Sequence, residues 1–303
     1  MTSSSDPLNT LPLPLEDRIE LEGFCRQDAD RYEIIRSSMK RRGIPSETIP
    51  IAGGRHIVVP VPGAGILDDE YYRVTLVAHY DRVENTPGAN DNAAAVFQLL
   101  AHWEDINRLG WHHRTQFLFT DREELTGNME AAEQGSWHLG RHLKRLKVNN
   151  VLFFVLDMTG IGNTPVWGRS VRKVGILPGH HAHSHSLNTM EGFLRKFTGG
   201  RDFGVNPMFS DDLGLLMAGY PALQLSLLPA AEADKLLSEH EGHPVEADPS
   251  APARARERIR SSLPESWKVN HSPDDGPETL DPAAFNLMAR LLRNLARFRF
   301  PLP

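Results

Sequence analysis

The stretch Tyr72–Asp81, YRVTLVAHYD, is a compact β-branched run that stops on a histidine and an aspartate. Two later stretches share its form: Thr115–Glu124, TQFLFTDREE, and Val151–Asp157, VLFFVLD. Short apolar runs of this length read as buried strands. Each leads straight into acid or histidine at its C-terminal end. Open α/β sheets bind ligands in the crevice beyond those ends. His79, Asp81, Asp121, Glu123, Glu124 and Asp157 are therefore expected to converge, although they lie far apart in the chain. One aspartate after a strand is usually a turn residue or a helix cap. Three such sites in series, with a later histidine, are hard to attribute to capping.

Working outward, Leu15–Arg42 has helical periodicity (Ile19, Leu21, Phe24, then Tyr32, Ile34, Ile35) and ends near Gly43 and Pro45. His56–Val61 is a short β-like run. Asn92–Leu109 reads as an amphipathic helix, Met129–Leu146 as mostly helical, Ala222–Leu227 as a strand and Pro282–Phe298 as a closing helix. Strands alternating with helices predict an α/β fold, a three-layer sandwich around a mixed, mostly parallel sheet. Residues 1–14 read as a flexible lead-in and 15–303 as one domain. Glu232–Glu265, rich in Ala, Glu, Arg and Pro, suggests surface helices and a mobile excursion.

Of the 303 residues, 40% are hydrophobic and 24% charged, enough for a sizeable core beneath an ordinary polar surface. The formal charge of -6 is not organised into basic blocks, so nucleic acid is not an expected partner. No stretch approaches the ~18 apolar residues of a membrane span. The N-terminus lacks the basic start and apolar run of a signal peptide, and a cytoplasmic location is the simplest expectation. The one cysteine, Cys25, lies beside Phe24 and reads as an inert core thiol.

Histidine nitrogen and carboxylate oxygen suit Zn²⁺, and a mixed set can hold two ions. Two metals sharing a water lower its pKa and polarise a carbonyl together. The adjacent Glu123 and Glu124 allow one to ligate while the other moves a proton.

The runs His79-Tyr80-Asp81, Pro87–Asn92, Glu123-Glu124 and Asp157 closely resemble the co-catalytic zinc aminopeptidases. That group includes aminopeptidase Y, bacterial leucyl aminopeptidases and the catalytic domain of glutamate carboxypeptidase II. The resemblance continues in order through Ser210-Asp211, Gly219–Ala222 and His271–Asp275. It implies the zinc exopeptidase (phosphorylase/hydrolase-like) fold, two divalent ions, most simply zinc, and a peptide substrate with a free N-terminus. By position, His79, Asp91, Glu124, Asp157 and His271 are the implied metal ligands, with Asp91 bridging both ions. Glu123 is the implied general base for the bridging water, and Asp81 the carboxylate that orients His79.

Departures from the family fall around the pocket. Ser210-Asp211-Asp212 stands where Ser-Asp-His is usual, and Leu125–Gln134 is longer than in compact aminopeptidases. Asp211, Asp212 and Trp167 are the candidate pocket residues. Glutaminyl cyclase, a single-zinc acyltransferase of the same superfamily, is similar in Gly135–Leu139 and around Leu156-Asp157, but normally has tryptophan where this chain has Asn270. A metal-free binding protein on the same fold is the remaining alternative, and such proteins are expected to lose ligands that this chain keeps. The cluster His180-His181-Ala182-His183 with His185 is read as a flexible polar loop, in preference to a second metal site.

Overall fold

The computed structural model describes residues 10–61, 70–110, 113–124, 131–168, 180–205, 210–239 and 263–303. In chain order the elements are α1 (Leu15–Phe24), α2 (Arg31–Arg41), β1 (Glu47–Ile51), β2 (Gly54–Val59) and β3 (Arg73–His79). A kinked turn, Ala89–Ala93, leads into α3 (Ala94–Arg108); β4 (Thr115–Thr120), α4 (Gly135–Arg145), β5 (Val151–Leu156) and β6 (Thr164–Gly168) follow. The remainder comprises α5 (His180–Phe197), β7 (Gly204–Val205), α6 (Asp211–Met217), β8 (Ala222–Leu228), α7 (Ala230–Glu239), α8 (Glu265–Lys268) and α9 (Pro282–Arg297).

The strands form one 8-stranded sheet in the order β1-β2-β4-β3-β5-β8-β6-β7. β4, β3, β5 and β8 run parallel at its centre, and antiparallel pairs join β1, β2 and β6 on either side. Every residue of β5 and β8 is buried, which requires cover on both faces and gives the three layers. Register places His79 opposite Thr120 and Val77 opposite Val155, so β3, β4 and β5 end level with one another. The sheet thereby lines up the residues that follow each strand along one edge.

Several expectations need adjusting. The helical stretch from Leu15 to Arg42 is two helices. The first stops at Cys25, and the second restarts where the Asp30 side chain accepts the Glu33 N–H at 3.1 Å. The lead-in is not loose to its end, because Leu11 and Leu13 are buried in the core; residues 1–9 lie outside the described residues. His180–His185 is not a loop: it forms the first turns of α5. Most of the expected excursion after α7, residues 240–262, falls outside the described residues. Cys25 is buried, and burial pushes its thiol up to about 12, so it is inert at neutral pH. No helix among the described residues is long and apolar enough to cross a membrane.

Phe154, at the middle of β5, is fully buried against Phe193 and Phe300 with ring centroids 6.5 and 5.6 Å away. Phe154→Ala is expected to lower the unfolding free energy by roughly 3–5 kcal/mol, measured by urea titration. A loss below about 1 kcal/mol would show that this strand is not packed on both faces.

Candidate metal centre

β3 delivers His79 at its last position, with 0% exposure. The chain then loops back so that Asp91 enters the same space from the turn before α3. Gly88 makes this possible: it sits at φ +59, and a Cβ there would lie 2.7 Å from the Asp91 carbonyl oxygen. Asp91 itself is non-helical, with φ −115 and ψ 81. Its backbone N–H and that of Asn90 donate to the two carboxylate oxygens of buried Asp275, at 3.1 and 2.8 Å. Asn90 accepts the Gly160 N–H at 2.8 Å, and Asn92 donates to the Leu156 carbonyl at 2.8 Å. These bonds tie the Asp91 turn to the end of β5, where Asp157 emerges.

Two groups of donors result. His79 Nε2 lies 3.2 Å from Asp91 Oδ1 and 3.6 Å from Asp157 Oδ1. His271 Nε2 lies 3.1 Å from both Asp91 Oδ2 and Glu124 Oε2. The two oxygens of the Asp91 carboxylate therefore face different triads, each with ligand atoms within 4.8 Å of one another. Tetrahedral ligands at zinc bond lengths of about 2 Å stand roughly 3.3 Å apart, and the separations here fit that spacing. On the first side both His79 nitrogens and Asp157 Oδ1 are buried without a hydrogen-bond partner, and Glu124 Oε1 is likewise unpartnered. Orphaned buried donors and acceptors call for an explanation, and divalent cations between them supply one. His271 is held at φ 57, an uncommon conformation for a residue with a Cβ that clusters at functional sites.

The electrostatics agree. Burial alone would lower the His79 imidazole, but Asp157, Asp81 and Asp91 outweigh it and hold the group well above its usual value. Burial likewise opposes protonation of His271, yet Asp91 and Glu124 bring it to about 11. Burial pushes the Glu123 carboxyl well above the usual range, reinforced by Glu124, Asp157 and Asp211. Surroundings that favour imidazolium so strongly are those in which a cation is at home.

Asp81 Oδ1 stands 3.5 Å from His79 Nδ1, and its Oδ2 accepts the Glu124 N–H at 3.0 Å. It thus links the two strand ends. Glu123 is buried, with Gln134 Nε2 donating to its Oε1 at 3.3 Å, while Gln224 Nε2 donates to Asp157 Oδ2 at 3.3 Å. Asp211 and Asp212 begin α6 and are fully buried; Asp211 accepts from the Thr120 hydroxyl, and burial raises it to about 6. Trp167, expected as a pocket wall, is a core residue instead. It is 1% exposed and packs edge-on against Phe203, because it points from β6 into the covered face of the sheet. Residues 125–130 of the lengthened segment lie outside the described residues. Sequence reasoning gave no role to Asn90, Gln134, Gln224 or Asp275; Asn90 and Asp275 had a signal, their places in the motifs that carry Asp91 and His271.

The family model for peptidase family M28 matches residues 62–296, and the chain belongs to that family. Its fold is similar to that of the Porphyromonas gingivalis glutaminyl cyclase, at 16% identity, 96% of each chain and a TM-score of 0.59. A glutaminyl cyclase from an Acidobacteriales bacterium covers 96% of this chain and 92% of its own at 14% identity and TM-score 0.60. The Legionella pneumophila LapA aminopeptidase covers 96% of this chain and 74% of its own, at 12% identity and TM-score 0.58. Likeness at these identities speaks to the fold. No curated protein matches the chain.

The shared carboxylate yields a test in metal content. Asp91→Ala is expected to abolish binding of both ions, whereas Asp157→Ala should leave about one per chain, measured by elemental mass spectrometry on protein equilibrated with zinc. Equal losses in the two variants would remove the bridging role.

Proposed function

We propose that this chain is a two-metal exopeptidase of the aminopeptidase type, acting on peptides with a free N-terminus. One observation carries this reading: the carboxylate of Asp91 divides its oxygens between a His79–Asp157 side and a His271–Glu124 side. That division offers each of two cations a histidine and a carboxylate of its own, with Asp91 common to both. Divalent ions held there, most simply zinc, would supply Lewis-acid polarisation of the scissile carbonyl and a water of lowered pKa.

The chain's own residues perform the rest. Glu123, buried beside Glu124 and held by Gln134, takes the proton of the attacking water and passes it to the leaving amine. Asp81 fixes the His79 ring and the start of the Glu124 backbone together, which keeps the first ligand aligned. The acid-rich crevice favours a substrate that brings a positive charge, as a peptide N-terminus does.

A glutaminyl cyclase is the second reading, and the similar folds keep it in view. Asn270, where that enzyme normally has tryptophan, is buried and accepts from Asn90 Nδ2 at 3.4 Å, so it braces the metal turn and offers no aromatic wall. Release of amino acids from unblocked peptides supports the peptidase; ammonia release from N-terminal glutaminyl peptides alone supports the cyclase.

The glutamate pair separates chemistry from binding. Glu123→Gln should retain its metal and lose activity by roughly 10²–10⁴-fold. Glu124→Gln should bind metal more weakly and regain activity in excess zinc. Metal titration of both variants beside a peptidase assay reads this directly, and the reverse pattern would exchange the two roles.

A further inference from the structure

Arg31, the first residue of α2, lies far from the metal ligands in sequence and outside the residues matched by the family model. Its side chain nevertheless ends beneath the loop that joins His79 to Asp91. The guanidinium is buried, stacks over the Phe24 ring at 4.4 Å, and forms no ion pair with a carboxylate among the described residues. Its Nε donates to the Phe24 carbonyl at 3.1 Å. Nη1 donates to the carbonyls of Tyr80 and Asp81, both at 3.2 Å. Nη2 donates to those of Pro87 at 2.6 Å and Gly88 at 3.1 Å. A guanidinium has five N–H groups in a fixed plane, and here each has a backbone acceptor. Lysine, with three donors on one atom, cannot reproduce the pattern.

The acceptors are not scattered. Tyr80 and Asp81 immediately follow the ligand His79, and Pro87 and Gly88 immediately precede the turn that presents Asp91. Phe24 closes α1. The clamp thus grips both ends of residues 80–88 and fastens them to the N-terminal helical hairpin. Burial brings the pKa down to about 10, so the group stays charged at neutral pH. A Cβ on Gly88 would come within 2.9 Å of Nη2, so the loop and the guanidinium are packed against each other.

We infer that Arg31 is a positioning residue for the metal centre, setting the separation of His79 and Asp91 by clamping the loop between them to the α1–α2 hairpin. This rests on the metal-centre reading above. An alternative is that Arg31 only stabilises the hairpin, and Arg42 provides the comparison. The Arg42 side chain is also buried and belongs to the same hairpin, but it pairs with Asp17 and with Glu104 of α3, away from the crevice.

The test is zinc affinity of the full chain, measured by competition with a chromophoric chelator, for wild type, Arg31→Met, Arg31→Lys and Arg42→Met. Melting temperatures of the metal-free proteins and visible spectra of the cobalt-substituted forms are recorded alongside. Both Arg31 variants are expected to bind zinc roughly 10–100-fold more weakly, the usual effect of losing support behind a ligand, and to shift the cobalt bands. Arg42→Met should lower the melting temperature while leaving zinc affinity within about threefold of wild type, well inside that range. Arg31→Lys keeps the charge and stem, so the comparison survives if Arg31→Met does not fold. Wild-type zinc affinity in Arg31→Lys, or an equal loss in Arg42→Met, overturns the proposal. A wild-type protein that binds no zinc overturns the metal-centre reading and this inference with it.

Discussion

Carboxylates crowded into a buried crevice repel one another, and the arrangement around His79 has to be understood from that constraint. Asp91, Glu123, Asp157, Asp211 and Asp275 are all buried, and Glu124 stands among them. Two like charges 4 Å apart oppose each other by about 4 kcal/mol at an effective dielectric near 20. Burial raises the carboxyls of Glu123, Asp211 and Asp275, whereas at Asp91 it is outweighed by His271 and His79, which hold that carboxyl below its usual range. Divalent cations would offset this repulsion for the carboxylates that face them, those of Asp91, Asp157 and Glu124. The fold gathers these groups despite their repulsion, which is what a binding site does and what a merely structural turn avoids.

The sheet supplies the frame for this gathering. Parallel strands in register end at one level, so three segments distant in the chain open onto one edge. The strands bring the ligands near; the polar braces fix them. Asp275 holds the Asp91 turn through two backbone N–H groups, Asp81 ties His79 to the Glu124 backbone, and Gln224 steadies Asp157. Arg31 completes this set from the opposite direction by gripping carbonyls where Asp275 grips N–H groups. A site held this way is arranged in advance for the cations proposed to bind there.

Much of this was legible in the sequence. The apolar runs of β4 and β5 have the boundaries read from them, and the acids at the strand ends converge except Asp121, whose carboxylate turns away to accept the Arg55 N–H at 2.9 Å. The losses have physical causes. β1 contains Pro50, which argues against a strand yet is tolerated at the sheet edge, where one side of the ladder is unused. α5 begins with histidines, which carry neither helical charge pattern nor strong propensity. Trp167 could not be placed by type, since tryptophan serves cores and pocket walls alike. Asp275 and Arg31 escaped a functional role because their partners are backbone atoms of remote segments, and no side-chain spacing reports such bonds.

The account stands on one carboxylate shared between two cation positions. Anomalous diffraction at the zinc edge, from crystals of the full chain grown with zinc, tests that most directly. Two peaks are predicted, roughly 3.5–4 Å apart as in two-metal hydrolases. One should lie beside His79 and Asp157, the other beside Glu124 and His271, with Asp91 reaching both. A single peak at the His271 side, with His79 and Asp157 left without an ion, would contradict the two-metal account and favour single-ion chemistry on the same fold.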